Sequence, residues 1–180
     1  MTPRRHRYQA GYTLVEVIIA TAIGALVLGA VTSIVLTTAI STNVATSRVD
    51  ASNQVRSLQL TAYDDIALSS VPAPSACGAP ATPCTTQPMV LQGGRMPNQV
   101  SGSPSQYTVT YTWDPTQHVV VRQVSGGPSR IVATNVTSYS WYVDPGAHAT
   151  VVIVLTVTYD AYNARYSESQ ALRFYPRVGA

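Results

Sequence analysis

A single carboxylate stands at the start of a long apolar segment, and it is the strongest chemical signal in this sequence. Arg4, Arg5 and Arg7 precede it, and the apolar segment runs from Val17 to about residue 40 without another charge. A charged side chain inside a membrane segment costs roughly 2.5–3.5 kcal/mol on insertion scales. Glu16 is therefore expected to have a partner that offsets this cost.

The two cysteines form a second candidate site. Cys77 and Cys84 flank a short loop of glycine, proline and alanine. In an exported domain such a pair is typical of a disulfide, and closing so short a loop contributes about 2–3 kcal/mol by chain entropy. A metal site would need further ligands, and beyond the N-terminal segment only His118 and His148 are available.

The remaining polar residues predict no enzyme site and no cofactor. His118 and His148 lie at the edges of predicted turns, where a solvated side chain is expected. Asp64 and Asp65 are adjacent on a predicted helix, so they point to different faces, and we expect them to form a solvated helix end. No glycine-rich phosphate loop follows a strand.

Composition favours a protein that is partly in a membrane or assembled on a surface. Hydrophobic residues make up 46% of the 180 residues and charged residues 11%, against about 25% charged in a typical soluble domain. The net charge of +3 arises from the first residues, since eight arginines balance eight acids after residue 11. This distribution argues against a nucleic-acid-binding face.

Hydrophobic patterning predicts one long helix with two different halves. Residues 12–40 are apolar and free of proline, and their length as a helix exceeds the ~30 Å hydrocarbon core of a bilayer. The preceding arginines are expected to stay in the cytoplasm, which sends the rest of the chain outside. Residues 41–71 continue as an amphipathic helix, so one helix from about Thr13 to Leu68 is expected. Its apolar stripe comprises Val44, Ala51, Val55, Leu58, Ala62 and Ile66.

The C-terminal part predicts a sheet. Residues 72–106 are rich in proline, glycine and serine, and we expect a loop that contains the cysteine pair. Residues 107–180 show alternating β-branched and aromatic residues between turn signals such as Asp114-Pro115 and Gly126-Gly127. Strands are expected at 107–113, 118–124, 130–133, 137–143, 150–160 and 164–174. The fold class is therefore α+β, with the long N-terminal helix packed on a C-terminal antiparallel β-sheet.

The N-terminal residues resemble those of type IV prepilins and pseudopilins. That family has a short basic leader, a glycine, an aromatic residue, then Thr/Ser-Leu-Ile/Val-Glu and an apolar helix. The corresponding residues here are Gly11-Tyr12-Thr13-Leu14-Val15-Glu16. Tyr12 stands where phenylalanine is usual. Ser33 stands where many major pilins have a helix-kinking proline, and a helix that stays straight there favours a minor pilin or a type II secretion pseudopilin. The outline of the family's fold, a long helix capped by a sheet like a lollipop, is also similar.

The resemblance implies a processing and assembly route. Residues 1–11 would be a leader that a prepilin peptidase removes after Gly11, and the new amino terminus on Tyr12 would be N-methylated. Glu16 would pair with the terminal amine of a neighbouring subunit and set its register. The implied partners are the peptidase, other pilin or pseudopilin subunits, an inner-membrane assembly platform and, before assembly, membrane lipid.

The implied location is the cytoplasmic (inner) membrane, crossed once with the C-terminal domain outside, and then a pilus or pseudopilus. The residues leave open which of three filaments is served: a type IV pilus, a competence pilus or a type II secretion pseudopilus. A signal-anchored or exported surface binding domain is the alternative. Against export, the apolar segment greatly exceeds the roughly 7–15 residues of a signal-peptide core, and no convincing A-x-A cleavage site follows it.

Overall fold

The N-terminal part of the chain forms one long helix. A computed structural model describes residues 11–72, 76–95, 105–146, 148–161 and 164–176, so the expected leader lies, apart from Gly11, outside the described residues. Helix α1 spans Leu14–Ala67, which confirms the predicted continuous helix. The chain divides into two compact units, one ending at Thr42 and one beginning at Asn43, and α1 contributes to both.

Within the second unit, the amphipathic part of α1 buries the predicted stripe. Five of its members, Ala51, Val55, Leu58, Ala62 and Ile66, are at most 2% exposed, while Val44 remains half-exposed. These residues recur every three or four positions, so their side chains lie on one face of the helix and pack together.

Seven antiparallel strands follow the helix. They are β1 (Met89–Arg95), β2 (Ser105–Asp114), β3 (Val119–Val124), β4 (Ser129–Ala133), β5 (Val136–Asp144), β6 (Thr150–Ala161) and β7 (Ala164–Phe174). The strands from β2 onward confirm the predicted ones to within two residues at nearly every end. Strand β1 corrects the sequence analysis, because its residues and the start of β2 were assigned to the loop over 72–106.

The strands form two sheets. The first sheet contains β1–β4 and the second sheet contains β5–β7, each in sequential order. The chain passes between them at Asn135, which has a positive φ of 57°, a conformation that asparagine tolerates better than most residues. Its carbonyl oxygen accepts a hydrogen bond from Thr158 N on β6.

The core of the second unit lies among the stripe of α1 and both sheets. Large side chains from each sheet are fully buried in it, among them Tyr111 and Met89 from the first sheet and Ile153 and Leu155 from the second. Strand β6 is covered on both faces, since Val152 and Ile153 are both buried.

Replacing Gly93 by alanine is expected to lower the free energy of unfolding by about 1–3 kcal/mol, the usual cost of overpacking a tight site. Gly93 pairs with Tyr107 across β1 and β2, and a Cβ added there would lie 2.7 Å from Cζ of the tyrosine ring. On its other side Gly93 forms an isolated bridge to Ser69, so the backbone cannot simply move away.

The measurement is denaturant unfolding of the full chain in detergent micelles, followed by the fluorescence of Trp113 and Trp141. Gly146→Ala is the matched control, because a Cβ there meets nothing closer than Asp144 Oδ1 at 4.0 Å. Equal unfolding midpoints for the two variants would show that the ring of Tyr107 yields to the added methyl group.

Candidate functional site

The helix begins with a cap that places Glu16 in its first turn. Thr13 is the N-cap residue: its hydroxyl oxygen accepts a hydrogen bond from Glu16 N at 3.3 Å. Its carbonyl oxygen accepts hydrogen bonds from Glu16 N at 3.1 Å and Val17 N at 3.3 Å. Thr13 and Glu16 have the spacing of a capping box, and a carboxylate in the first turn is favoured by the helix dipole.

The carboxylate of Glu16 is exposed and forms no ion pair with any described residue. The next charged residue along the helix is Arg48, 32 positions later in the sequence. Tyr12, immediately before the cap, is 83% exposed. This end of the helix therefore presents a single negative charge beside the bond between Gly11 and Tyr12.

In the described part of the first unit, most of the helix surface is apolar, and no other described residue packs on it. Every described residue from 11 to 43 is exposed, and an 18-residue window of α1 reaches a mean hydropathy of 2.4 with none of it buried. The large exposed side chains there are Leu14, Val15, Val17, Ile18, Ile19, Ile23, Leu26, Val27, Leu28, Val31, Ile34, Val35, Leu36 and Ile40. By length and composition, this part of α1 can cross a membrane.

Threonines in this part of the helix satisfy their own hydroxyl groups. Thr32, Thr37 and Thr38 each donate a hydrogen bond to the carbonyl oxygen four residues earlier, at 2.8–2.9 Å. These hydroxyl groups bond back to the helix and need no external partner. The hydroxyls therefore add little to the cost of placing the helix in lipid.

The small-residue face at Ala25, Gly29 and Ser33 is equally open. A Cβ added at Gly29 meets nothing within 4 Å. Such a face permits close approach of a second helix.

Cys77 and Cys84 are joined in a disulfide with a Cα–Cα distance of 5.0 Å. The enclosed loop lies against β5 of the second sheet, where Cys84 and Trp141 exchange two backbone hydrogen bonds of 2.9 Å and Val143 N donates to Gly78 O. The disulfide thus holds a segment that covers one edge of this sheet. Its arrangement indicates a structural role.

A buried ionic cluster was missed by the sequence analysis, which predicted a solvated pair at Asp64 and Asp65. Asp64 is exposed, but Asp65 is only 6% exposed. Arg122 Nε and Nη2 donate to the two carboxylate oxygens of Asp65 at 2.6 and 2.7 Å, and Tyr111 Oη donates to the same carboxylate at 2.5 Å. Tyr111 and Arg122 are paired across β2 and β3, so the cluster ties the end of α1 to the first sheet.

The position of Asp65 on the apolar stripe of α1 was a sequence signal for this cluster. Asp65 lies seven residues after Leu58 and one before Ile66, so it falls on the apolar stripe of α1. A carboxylate on a buried face needs a cation or several donors, and Arg122 follows three valines in β3.

The electrostatics of this cluster act on the tyrosine and the arginine. Burial, followed by the hydrogen bond to Asp65, raises the pKa of Tyr111 well above its usual range. The hydrogen bond to Asp65 raises the pKa of Arg122, which therefore stays protonated. Burial alone raises the pKa of Tyr139, whose hydroxyl is buried without a hydrogen-bond partner among the described residues.

Because of Tyr111 and Tyr139, we expect the free energy of unfolding to fall at high pH. Their folded pKa values exceed the ordinary value of about 10, so the unfolded chain releases both protons first as the pH rises through 10. The stabilisation is fully present below pH 10 and is lost above it, with a slope of up to about 2.7 kcal/mol per pH unit for two protons. Denaturant unfolding between pH 8 and about pH 12 measures this slope.

Tyr139→Phe separates the two contributions. It should halve the slope while leaving stability at neutral pH unchanged or higher by about 1 kcal/mol, because the hydroxyl it removes has no partner in the core. A slope that is the same with and without Tyr139 would contradict the assignment.

His118 and His148 are exposed, and His118 closes the turn between β2 and β3 with a positive φ of 55°. Within the described residues, no group of three or more histidine, cysteine, aspartate or glutamate side chains is arranged to hold a metal ion.

Comparison with known proteins gives one match. Residues 6–32 match the family model described as the prokaryotic N-terminal methylation motif. No curated protein and no solved structure matches the chain. The matched residues span the bond between Gly11 and Tyr12, the capped helix start, Glu16 and the first part of the exposed apolar helix. With this motif at the start of one long helix that is followed by antiparallel sheets, the chain is similar to type IV prepilins in its N-terminal residues and in the order of its elements.

Proposed function

We propose that this protein is a minor structural subunit of a type IV pilus, a competence pilus or a type II secretion pseudopilus. The observation that carries the proposal is the exposed apolar part of α1. It begins at a capped turn, has one carboxylate, and follows Gly11 and Tyr12 within the matched methylation motif. An exposed apolar surface of this length needs lipid or other helices around it, and a filament subunit uses both in turn.

The proposed route begins in the cytoplasmic membrane. The arginine-rich leader stays in the cytoplasm, and the first part of α1 crosses the bilayer once with the sheets outside. A membrane prepilin peptidase cuts between Gly11 and Tyr12, and the new terminal amine is methylated. The exposure of Tyr12 supports this step, because the bond beside it is accessible. The membrane-embedded assembly platform then moves the subunit from lipid into the filament.

In the filament, Glu16 pairs with the amine of a neighbouring subunit. Its carboxylate has no ion-pair partner among the described residues, which supports a partner from outside the chain. Two unit charges about 4 Å apart attract by about 4 kcal/mol at an effective dielectric of 20. This gain is comparable to the cost of leaving the carboxylate in lipid, so the pair fixes register more than it adds net stability.

The decisive measurement is the intact mass of the protein purified from membranes of a host with an active prepilin peptidase. We expect a mature chain that starts at N-methyl-Tyr12 and retains α1. A start near residue 40 would instead indicate export with cleavage after the apolar segment. An unprocessed Met1 would indicate a plain signal-anchored domain.

The same sample tests the cysteine pair. If Cys77 and Cys84 are oxidised outside the membrane, alkylation should leave the mass unchanged until a reductant is added. Immediate alkylation of both thiols would contradict the proposed structural disulfide.

A further inference from the structure

The two sheets have four edge strands, and the chain covers two of them itself. At β1, Gly93 forms a bridge with Ser69, and Ser70 N donates to Gln92 O. At β5, the disulfide loop exchanges hydrogen bonds with Trp141. The outer edges of β4 and β7 pair with no other strand among the described residues. Unpaired edge strands expose a row of backbone donors and acceptors that can pair with another chain.

Strand β7 is the more open of these two edges. Strand β4 has five residues, follows Pro128, and belongs to a pairing with a register shift. Strand β7 has eleven residues without proline or glycine, and its register with β6 is unbroken from Ala164 to Phe174. Among the described residues, β6 is its only strand partner. A long, regular edge of this kind is a template for strand addition.

A groove runs beside β7, where α1 and this strand face each other within the second unit. It has a volume of about 540 Å³, and Arg56, Leu60, Tyr63, Glu168 and Gln170 are among its lining residues. Leu60 is 61% exposed and Tyr63 51% exposed. A strand added to β7 would place alternate side chains over Leu60 and Tyr63, because successive residues of a strand point to opposite faces.

The charges on β7 disfavour a second copy of the same strand. Full-length antiparallel pairing of two β7 strands centres on Ser169, so Arg165 of each copy lies opposite Arg173 of the other. Like charges directly opposite each other destabilise a strand pair. Parallel pairing in register also places arginine beside arginine.

The same arginines favour an acidic strand. Arg165 Nε lies 3.1 Å from Oδ1 of Asp160 on β6, and Arg173 Nη1 lies 3.6 Å from Oδ2 of Asp144 on β5. Both acids belong to the strands of this sheet that precede β7. A carboxylate on the opposite side of each arginine would complete an acid–arginine–acid row at each end of the edge. We propose that β7 is a docking edge for an extended segment of a different polypeptide, with acidic residues eight positions apart and apolar residues facing Leu60 and Tyr63.

Three eleven-residue peptides test the proposal on the full chain in detergent micelles. Each has valine at odd positions and threonine at even positions. The first carries aspartate at positions 2 and 10, opposite Arg173 and Arg165; the second carries arginine there; the third adds proline at position 6 of the acidic peptide. We expect the acidic peptide to bind about tenfold more tightly than the arginine peptide, and the proline peptide to bind weakly because it interrupts the ladder.

Amide hydrogen exchange locates the bound peptide, and we expect new protection confined to residues 164–174. Leu60→Ala should weaken binding roughly threefold to tenfold by removing apolar contact. Val49→Ala is the matched control, since Val49 is 59% exposed on the same helix but does not line the groove. Arg165→Ser with Arg173→Ser should abolish the preference for the acidic peptide.

Three outcomes would overturn the proposal. One is an absence of protection in β7 at saturating acidic peptide. Another is equal affinity for the acidic and arginine peptides. The third is a homodimer in which residues 164–174 are protected without any peptide, which would make a second copy the occupant.

Discussion

Replacing Asp65 by alanine is expected to lower the free energy of unfolding by about 3 kcal/mol, the largest stability effect of any single change proposed for this chain. The variant removes the acceptor of the bidentate hydrogen bonds from Arg122 and of the hydrogen bond from Tyr111. It leaves a guanidinium group whose side chain is 25% exposed without its counter-charge. The partial exposure of Arg122 places the loss at the low end of values for buried ion pairs.

Asp64→Ala is the matched control, because its neighbouring carboxylate is exposed and should change stability by no more than about 0.5 kcal/mol. Both variants are compared by denaturant unfolding of the full chain in micelles, with the two tryptophans as probes. A double variant, Asp65→Ala with Arg122→Met, should recover part of the loss, because the uncompensated charge is then gone. Indistinguishable unfolding midpoints for Asp65→Ala and Asp64→Ala would refute the role of the cluster.

Replacing Glu16 by alanine is expected to reduce incorporation into filaments at least tenfold while leaving cleavage after Gly11 intact. Without the carboxylate, the amine of the neighbouring subunit is left in the membrane boundary without its counter-charge and the register is no longer fixed. A loss of ~1.4 kcal/mol is enough to lower an association constant tenfold. The mature and unprocessed forms are separated by mass, and the amount of subunit in sheared filaments is measured against the membrane-bound amount.

Thr13→Ala is the control that separates the charge of Glu16 from the capping of the helix in the same turn. Thr13 caps the helix through the hydrogen bond from Glu16 N, and losing that cap costs about 1 kcal/mol. Thr13→Ala keeps the carboxylate, so it should assemble nearly as well as the unchanged protein. If Glu16→Ala and Thr13→Ala assembled equally well, the carboxylate would have no role beyond local helix geometry.

Local patterns predicted most of the elements because their causes lie within a few neighbouring residues. The absence of proline between Tyr12 and Ile40 and the three- or four-residue recurrence from Ala51 to Ile66 predicted α1. Turn residues such as Asp114 act locally as well: its carboxylate accepts hydrogen bonds from Thr116 N and Gln117 N at 2.8 and 3.0 Å. The strands on either side of these turns therefore have the bounds that the alternation of β-branched and aromatic residues predicted, to within two residues.

Strand β1 escaped prediction for a physical reason. Its sequence contains Gly93 and Gly94, and glycine weakens a strand unless a neighbour fills the space above it. The ring of Tyr107 fills that space at Gly93. The strand is therefore stabilised by a residue of β2, which no pattern within residues 89–95 reveals.

The amino-acid sequence by itself determined the N-terminal motif and the apolar part of α1. Four features follow one another along the chain: the arginines before Gly11, the Gly11-Tyr12 bond, the carboxylate of Glu16 and the apolar helix. Their order is therefore set by the sequence and needs no contact between distant residues. The methylation motif at residues 6–32 is recognisable for the same reason.

Only the tertiary structure decided where Asp65 lies, how seven strands divide into two sheets, and which sheet edges stay open. The partners of Asp65 are 46 and 57 residues away in sequence. The disulfide loop covers β5 through a bridge between Cys84 and Trp141, and all four strands of the first sheet lie between these two residues in the sequence. Such contacts form only when distant segments fold onto one core, because burial makes the pairing of each charge and backbone group obligatory.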